Sequence, residues 1–375
     1  MSALYIHIPL CLSRCFYCDF YSTTGLDKKE LLLDGICKEI NLRKDYLKGE
    51  TIHTIYFGGG TPSLLLAKEI ERVLGEVFKT FDCRPEEITL EANPDDLSSD
   101  YIQSLRKTPI NRISIGIQSF QDSDLKQMNR RHTASQAINA VRACQSAGLD
   151  NISIDLIYGL PNQTLKQWEK NLQIAVDLQV PHISAYHLTY EKGTEFFKKW
   201  KRGNISPVEE SLSETMFNKL RTILKENGLQ QYEISNFAKP GMKSKHNSSY
   251  WNDVPYIGLG PSAHSYNGIS RQWNVSDINI YLEAIEKGTL FYETEELDKN
   301  TRYNDFIITS LRTMAGIEVA LMKFKFGDKL STYCLQNAKT FIDRHLLELK
   351  EGRLYLTEKG IFISDGIMAE LLWVD

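Results

Sequence analysis

Two rhythms of apolar and polar positions alternate along this chain. Short runs rich in Ile, Thr and Tyr fall at residues 4–9, 52–57, 88–90, 112–117, 152–157 and 182–188. Their length and composition are those of strands. Between them apolar residues recur at helical spacing: Leu31/Ile36/Ile40, Ile70/Val73/Leu74/Val77, Ile138/Val141/Ala147, Asn171/Leu172/Ala175/Leu178 and Met216/Leu220/Leu224. Six such alternations predict βα units around a parallel sheet. Polar residues follow strand after strand at the same end, at residues 58–61, Glu91, Gln118, Asp155 and Thr189. A barrel builds its site from all its strand ends, whereas an open sheet gathers its site at one switch point. The expected fold is therefore α/β, a partial (β/α)6 barrel.

The rhythm changes after residue 235. Residues 236–266 are rich in Gly, Pro, Ser and Asn, and helical periodicity is lost. The chain divides on this reading into a barrel core (1–235), a linker segment carrying a site (236–299) and a small C-terminal helical domain (300–375). In the last, residues 352–357 predict a hairpin arm and a helix begins near Glu358, a winged-helix-like pattern.

Composition narrows the classes. Of 375 residues 42% are apolar and 25% charged, as in ordinary globular proteins. There are 44 basic against 48 acidic residues, net −4, so nucleic acid is not the expected partner. No run approaches the ~18 apolar residues of a membrane helix. Residues 1–10 lack a basic start and a long apolar core, so no secretory signal is expected. Seven cysteines are an odd number, and Cys37, Cys83, Cys144 and Cys334 are scattered, which does not suit a disulfide framework.

The other three cysteines sit together, in Cys11-Leu-Ser-Arg-Cys15-Phe-Tyr-Cys18, directly after the first strand. A structural zinc site wants four ligands, and no second cysteine pair follows. A four-iron cluster normally takes four thiolates, so three leave one iron open. Three inert buried cysteines are the plain alternative, but Ser13, Arg14 and Tyr17 make the loop polar for core packing. Gly58-Gly59-Gly60-Thr61-Pro62 after the second strand lets backbone approach a ligand closely, without the Gly-Lys-Ser/Thr of a P-loop. Glu91, Gln118, Arg130 and Asp155 lie at or beyond strand ends, with Arg131 adjacent to Arg130. Carboxylates suit hydroxyls and an Arg fork suits a carboxylate. Taken singly, each is equally well a cap or a solvated loop residue.

The C-x3-C-x2-C spacing, with an aromatic before the third Cys, resembles the radical S-adenosylmethionine (SAM) superfamily. That resemblance implies a [4Fe-4S] cluster on Cys11, Cys15 and Cys18, with SAM chelating the open iron. Further segments resemble the coproporphyrinogen oxidase-like group over nearly the whole chain. They are Leu4-Tyr5-Ile6-His7-Ile8-Pro9, Cys18-Asp19-Phe20, the glycine loop, Ile115-Gly116-Ile117-Gln118-Ser119-Phe120 and Asp155-Leu156-Ile157-Tyr158-Gly159-Leu160-Pro161. By that resemblance Tyr5, Tyr17, Gly59, Gly60, Thr61, Glu91, Gln118, Arg130 and Asp155 would contact SAM.

Two branches of the group differ in function. The oxidases carry a further Cys two residues after the third and a longer segment before the first strand. Here Phe20 holds that position, and ten residues precede Cys11. The chain instead resembles the HemW heme chaperone branch, whose H-N-x-x-Y-W motif stands as His246-Asn247-Ser248-Ser249-Tyr250-Trp251. An imidazole can ligate heme iron and aromatics can pack the macrocycle, so His246, Asn247, Tyr250 and Trp251 are candidate heme residues. A packing His beside a Ser-Ser turn is the plain alternative. The resemblance implies heme as cargo and recipient hemoproteins of the respiratory chain, some of them membrane proteins. It also implies a cytoplasmic location with peripheral membrane contact during transfer, and SAM bound without productive turnover. Two alternatives stand beside it. One is a coproporphyrinogen III oxidase or another radical SAM enzyme acting on a tetrapyrrole. The other is a degenerate barrel used for protein interaction, without a cluster.

Overall fold

The computed structural model describes residues 1–374; Asp375, last of the expected C-terminal segment, lies outside the described residues. Six βα units open the chain. They are β1 (Ser2–Ile8) and α1 (Lys29–Leu42), β2 (Ile52–Gly59) and α2 (Ala67–Thr80), β3 (Cys83–Ala92) and α3 (Ser99–Leu105). β4 (Arg112–Gln118) follows with α4 (Asp122–Gln127) and α5 (Ala134–Ser146), then β5 (Ile152–Tyr158) with α6 (Leu165–Asp177), then β6 (His182–His187) with α7 (Glu195–Lys201) and α8 (Glu210–Glu226). The six strands pair in sequence order, all parallel. Successive side chains of a strand point to opposite faces; in β1, Leu4, Ile6 and Ile8 share one face and are fully buried, while Tyr5 and His7 lie on the other. The α/β architecture of six parallel βα units expected from the periodicity is the one observed.

The helices follow their signals closely. In α5 and α6, Thr133 and Thr164 accept from the N–H of Gln136 and Gln167, whose side chains reach back to the capping residue, an arrangement that satisfies two orphan donors. Ile70, Val73, Leu74 and Val77 bury one face of α2. Two positions of the expected apolar stripes differ. Leu31 is 58% exposed, because α1 turns Leu32, Leu33, Ile36 and Ile40 inward instead. Asn171 is buried but polar: it accepts from the Phe120 N–H at 3.0 Å and donates to Ser119 Oγ at 3.0 Å, which removes the cost of burying it.

Residues 236–266, where helical periodicity vanishes, nevertheless hold a helix. After β7 (Gln230–Gln231) and β8 (Asn236–Ala238) comes α9 (Lys245–Trp251), two turns long and so too short to show a 3.6-residue repeat. Ser244 caps it, accepting from the Asn247 N–H at 3.2 Å. The chain then adds β9 (Tyr256–Leu259), β10 (His264–Tyr266), β11 (Ser270–Asn274), α10 (Ile278–Glu286) and β12 (Tyr292–Glu296). β9 pairs with β1 in parallel, and β10 to β12 continue antiparallel. Among the described residues, twelve strands thus share one sheet, with β1 inside it between β2 and β9.

The C-terminal part is α11 (Lys299–Arg312), β13 (Ile317–Glu318), α12 (Val319–Asp343), β14 (Leu347–Lys350), β15 (Arg353–Leu356), α13 (Glu358–Ile361) and α14 (Ser364–Leu371). Gly327, at φ 80°, breaks α12 into two helices. The order helix, strand, two helices and a β14–β15 hairpin is that of a winged helix, and its core is continuous with that of the barrel. Among the described residues no helix is long and apolar enough to cross a membrane.

Candidate functional site

The cysteine loop leaves the carboxyl end of β1 and is held by backbone bonds. The Cys11 N–H donates to Thr23 O at 2.9 Å and the Thr23 N–H to Pro9 O at 2.7 Å. The Phe16 N–H donates to Met128 O at 3.0 Å, and the Phe196 N–H at the start of α7 donates to Phe16 O at 2.9 Å. Thr61 donates to Cys11 Sγ at 3.5 Å and Arg130 Nη1 to Cys15 Sγ at 3.3 Å. Burial raises the Cys11 thiol and pushes Cys18 up to about 11. The Arg130 charge acts the other way on Cys11, favouring thiolate. The four scattered cysteines lie apart in the core; burial pushes Cys37 up, Cys83 and Cys334 to about 11, and Cys144 to about 12.

The glycine loop runs against this one. A Cβ on Gly60 would stand 2.7 Å from Leu10 O and 3.0 Å from Cys11 Sγ. Gly59 has φ 111°, and a Cβ there would meet the His7 ring at 2.7 Å. The Gly59 N–H donates to Glu91 Oε2 at 3.1 Å, and Tyr56 OH donates to Glu91 Oε1 at 2.7 Å. Glu91 is pushed up to about 7, chiefly by burial, with the Asp155 charge adding to it. Asp155 is pushed to about 6 by burial, against bonds from Ser184 and Ser114 and the charges of Arg112 and Arg130.

Arg130 Nη2 donates to Asn93 Oδ1 and to Gly116 O, both at 2.6 Å, while its Nε is buried without a partner. Neighbouring Arg131 is committed elsewhere, 3.0 Å from both Asp95 and Asp96. Gln118 sits at φ 69°. A cavity of about 910 Å³ takes its wall from Cys11, Cys15, Cys18, Tyr17, Gly59, Gly60, Thr61, Glu91, Gln118, Arg130 and Asp155. Tyr5 stands behind that wall, its OH 3.0 Å from His7 Nδ1 and its ring 6.1 Å from Tyr56.

The donor set fits an iron–sulfur cluster with SAM. Three thiols strung on one loop beside a cation suit a polynuclear centre with an open iron. Among the described residues, no three His, Cys, Asp or Glu converge to hold a single metal ion. Two enclosed carboxyls suit a cationic ligand bearing hydroxyls, the unpaired Arg130 Nε suits a carboxylate, and the glycines leave room where a Cβ would intrude.

The candidate heme residues do not meet in this cavity. His246 is 1% exposed. Its Nδ1 is 2.9 Å from Thr54 Oγ1 and its Nε2 is 2.9 Å from Tyr250 OH. Both ring nitrogens are therefore engaged. The ring stacks on Tyr56 at 4.9 Å, and so braces the tyrosine that donates to Glu91. Tyr250 packs edge-on against Tyr256 at 4.9 Å. Asn247 hydrogen-bonds the Tyr232 side chain. Trp251 lies 5.7 Å under the guanidinium of Arg312. The motif is the cavity's backing, and Arg312 is its link to the wall.

The outer part of the cavity escaped the sequence reading. Tyr158, His187, Phe217, Phe362 and Arg312 line it. His187 could have been found, since it ends the sixth strand, where barrels place functional groups; Thr189 was the residue singled out there.

The radical SAM superfamily matches residues 5–175, and the HemN C-terminal domain matches residues 297–363. "Heme chaperone HemW" of Lactococcus lactis is 33% identical over 375 residues, covering 100% of this chain and 98% of the relative. Its namesake in Bacillus subtilis is 32% identical, covering 99% of each chain, and that in Haemophilus influenzae 35%, covering 97% and 96%. Among solved structures, coproporphyrinogen III oxidase (HemN) from Escherichia coli, a radical SAM enzyme, superposes with a TM-score of 0.85. It covers 99% of this chain and 89% of that one at 22% identity, a likeness of fold.

Proposed function

The chain belongs to the HemW family of heme chaperones, built on a radical SAM scaffold, and on that footing we propose that it takes up heme and passes it to recipient hemoproteins. The recipients on this reading include respiratory-chain proteins, some of them in the membrane, met by peripheral contact from the cytoplasm. The observation that carries the reading is one cavity with two characters. Its wall holds the cysteine loop, the glycine loop and two carboxyls, and also the aromatic side chains of Tyr158, Phe217 and Phe362, the last from the C-terminal part of the chain. A site for SAM alone would not require those aromatics.

A [4Fe-4S] cluster with SAM, once bound, supplies one-electron chemistry on a carbon centre. The chain's own residues do the rest. Cys11, Cys15 and Cys18 hold the cluster, and Arg130 balances the thiolate charge. Glu91 and Asp155 orient the cationic ligand and its hydroxyls, and Gly59 and Gly60 let it approach the backbone. Residues 246–251 hold Glu91 and Arg312 in place from behind the wall.

Phe20, 62% exposed on the cavity rim, stands where the oxidases of this group carry a further cysteine. The test uses one anaerobically reconstituted sample in two arms. Heme titration should saturate, and the loaded protein should then load an apo-hemoprotein. Coproporphyrinogen with SAM should remain unconverted. Formation of protoporphyrinogen would replace this reading with the oxidase.

A further inference from the structure

We propose that the iron of the heme cargo is ligated by His187, in the outer part of the cavity, and that Arg312 pairs with a heme propionate. This rests on the chaperone reading and gives its cargo a place.

The outer wall is built as a macrocycle would need it. Tyr158 and Phe217 stack with ring centres 6.5 Å apart, and Phe217 meets Phe362 at 6.1 Å. The wall thus joins β5, α8 and the segment between α13 and α14. Ile234 and Ile361 complete the apolar surface. The whole cavity, about 910 Å³, is at the upper end of the ~300–1,000 Å³ range of small-molecule sites, room for more than one modest ligand.

His187 projects from the end of β6 beside Tyr158, ring centres 5.1 Å apart. Its Nε2 is 3.0 Å from Ser213 Oγ, a neutral hydroxyl that can donate or accept. Burial lowers its pKa, which favours the neutral ring that carries a lone pair for iron. The other imidazoles considered are worse placed. His246 spends both nitrogens and is sealed from the cavity. His132 is on the wall, but it is 3% exposed with Nε2 held at 3.1 Å from Ile117 O.

Arg312 has hydrogen-bonding capacity left over, although its charge is also felt by the buried Glu233 carboxylate. Its Nε is buried without a partner, and its nearest recorded carboxylate is Asp365 at 3.6 Å, on a side chain 88% exposed. A propionate would complete the guanidinium's bonds. Trp251 then acts as a positioning residue, its ring fixing the guanidinium from the far side. The H-N-x-x-Y-W motif serves heme through Arg312 and Glu91 rather than by touching iron.

The experiment is heme titration of the reconstituted full-length chain, read at the Soret band and by electron paramagnetic resonance of the ferric heme. Wild type should saturate with an imidazole-ligated signature. His187→Ala should lose that signature and weaken binding at least about tenfold, the lower range for disturbing even the outer partners of a metal ligand. Added imidazole should restore the spectrum, which a merely structural role would not allow. Arg312→Gln should weaken binding several-fold and leave the signature unchanged. A His187→Ala protein with wild-type spectrum and affinity overturns the placement. If that variant has lost its unfolding transition, Phe362→Trp decides: it fills the outer cavity with His187 intact, and undiminished heme loading overturns the placement. Wild type that never saturates removes both the placement and the chaperone reading. Wild type that binds through His187 but never loads an apo-hemoprotein removes the chaperone reading alone.

Discussion

Replacing Gly60 by alanine adds one methyl at the tightest contact between the two loops of the site. That methyl would lie 2.7 Å from Leu10 O, 2.9 Å from the Pro9 carbonyl carbon and 3.0 Å from Cys11 Sγ. Gly60 needs glycine for space. The crowded segment cannot simply move aside, because Cys11 N–H and Pro9 O are both bonded to Thr23, at 2.9 and 2.7 Å. Overpacking costs about 1–3 kcal/mol, and loss of one of these bonds adds about 0.5–1.5 kcal/mol. Gly60→Ala should therefore destabilise the chain by about 1.5–4.5 kcal/mol and displace Cys11 from its position. Gly75→Ala provides the control: nothing lies within 4 Å of its added Cβ, in exposed α2, so it should stabilise by about 0.5–1 kcal/mol. The assay is urea unfolding of both variants, together with cluster absorbance per chain after iron and sulfide reconstitution. A Gly60→Ala protein as stable as wild type and carrying a full cluster would refute the steric argument.

Cys15→Ser should leave almost no cluster absorbance after reconstitution, since two thiolates hold a four-iron centre poorly; an unchanged spectrum would remove this loop as the ligand set. Glu87→Ala should destabilise by about 3–5 kcal/mol, as breaking a buried ion pair does, because its carboxylate accepts the Lys245 and His246 N–H groups at 2.8 and 2.9 Å beside Arg112. Thermal unfolding measures that loss. Burial pushes Glu91 up to about 7 from an ordinary 4.5, so its contribution to stability is full below the ordinary value and lost as pH rises through about 7. Glu91→Gln should remove that loss, which unfolding at about pH 5 and pH 8 would show. A cationic ligand favours the carboxylate, so SAM affinity in wild type should rise between about pH 6 and 8; calorimetry with a flat profile would take Glu91 out of the ligand's reach.

The barrel strands were legible because Ile recurs at alternate positions in short runs, as in residues 112–117 and 152–157, where one face packs into the core and the other carries Arg112, Ser114, Ser153 and Asp155. β9 to β12 were not, since strands of three to five residues such as His264–Tyr266 give no period to count. The helix over residues 245–251 was hidden for the same reason, and Leu31 misled because Leu32 and Leu33 beside it fit the stripe equally well. In the site, spacing located the cysteine and glycine loops because ligand geometry is local there. It could not reveal that His246 closes on Thr54 and Tyr250, since those partners are set by tertiary packing. The importance of His187 likewise depends on Phe217 and Phe362, which come from distant parts of the chain.

The place of β1 inside the sheet has a consequence in time. Its pairing with β9 joins Ala3 to Tyr256 and Ile6 to Leu259, so about 250 residues must be synthesised before that side is covered. At ~5–20 residues per second, the ribosome takes roughly 12–50 s over this stretch. Throughout that interval the strand leading into the cysteine loop is an edge, with the hazards of any bare edge. Cluster insertion that depends on the final seat of β1 therefore waits until β9 has been made.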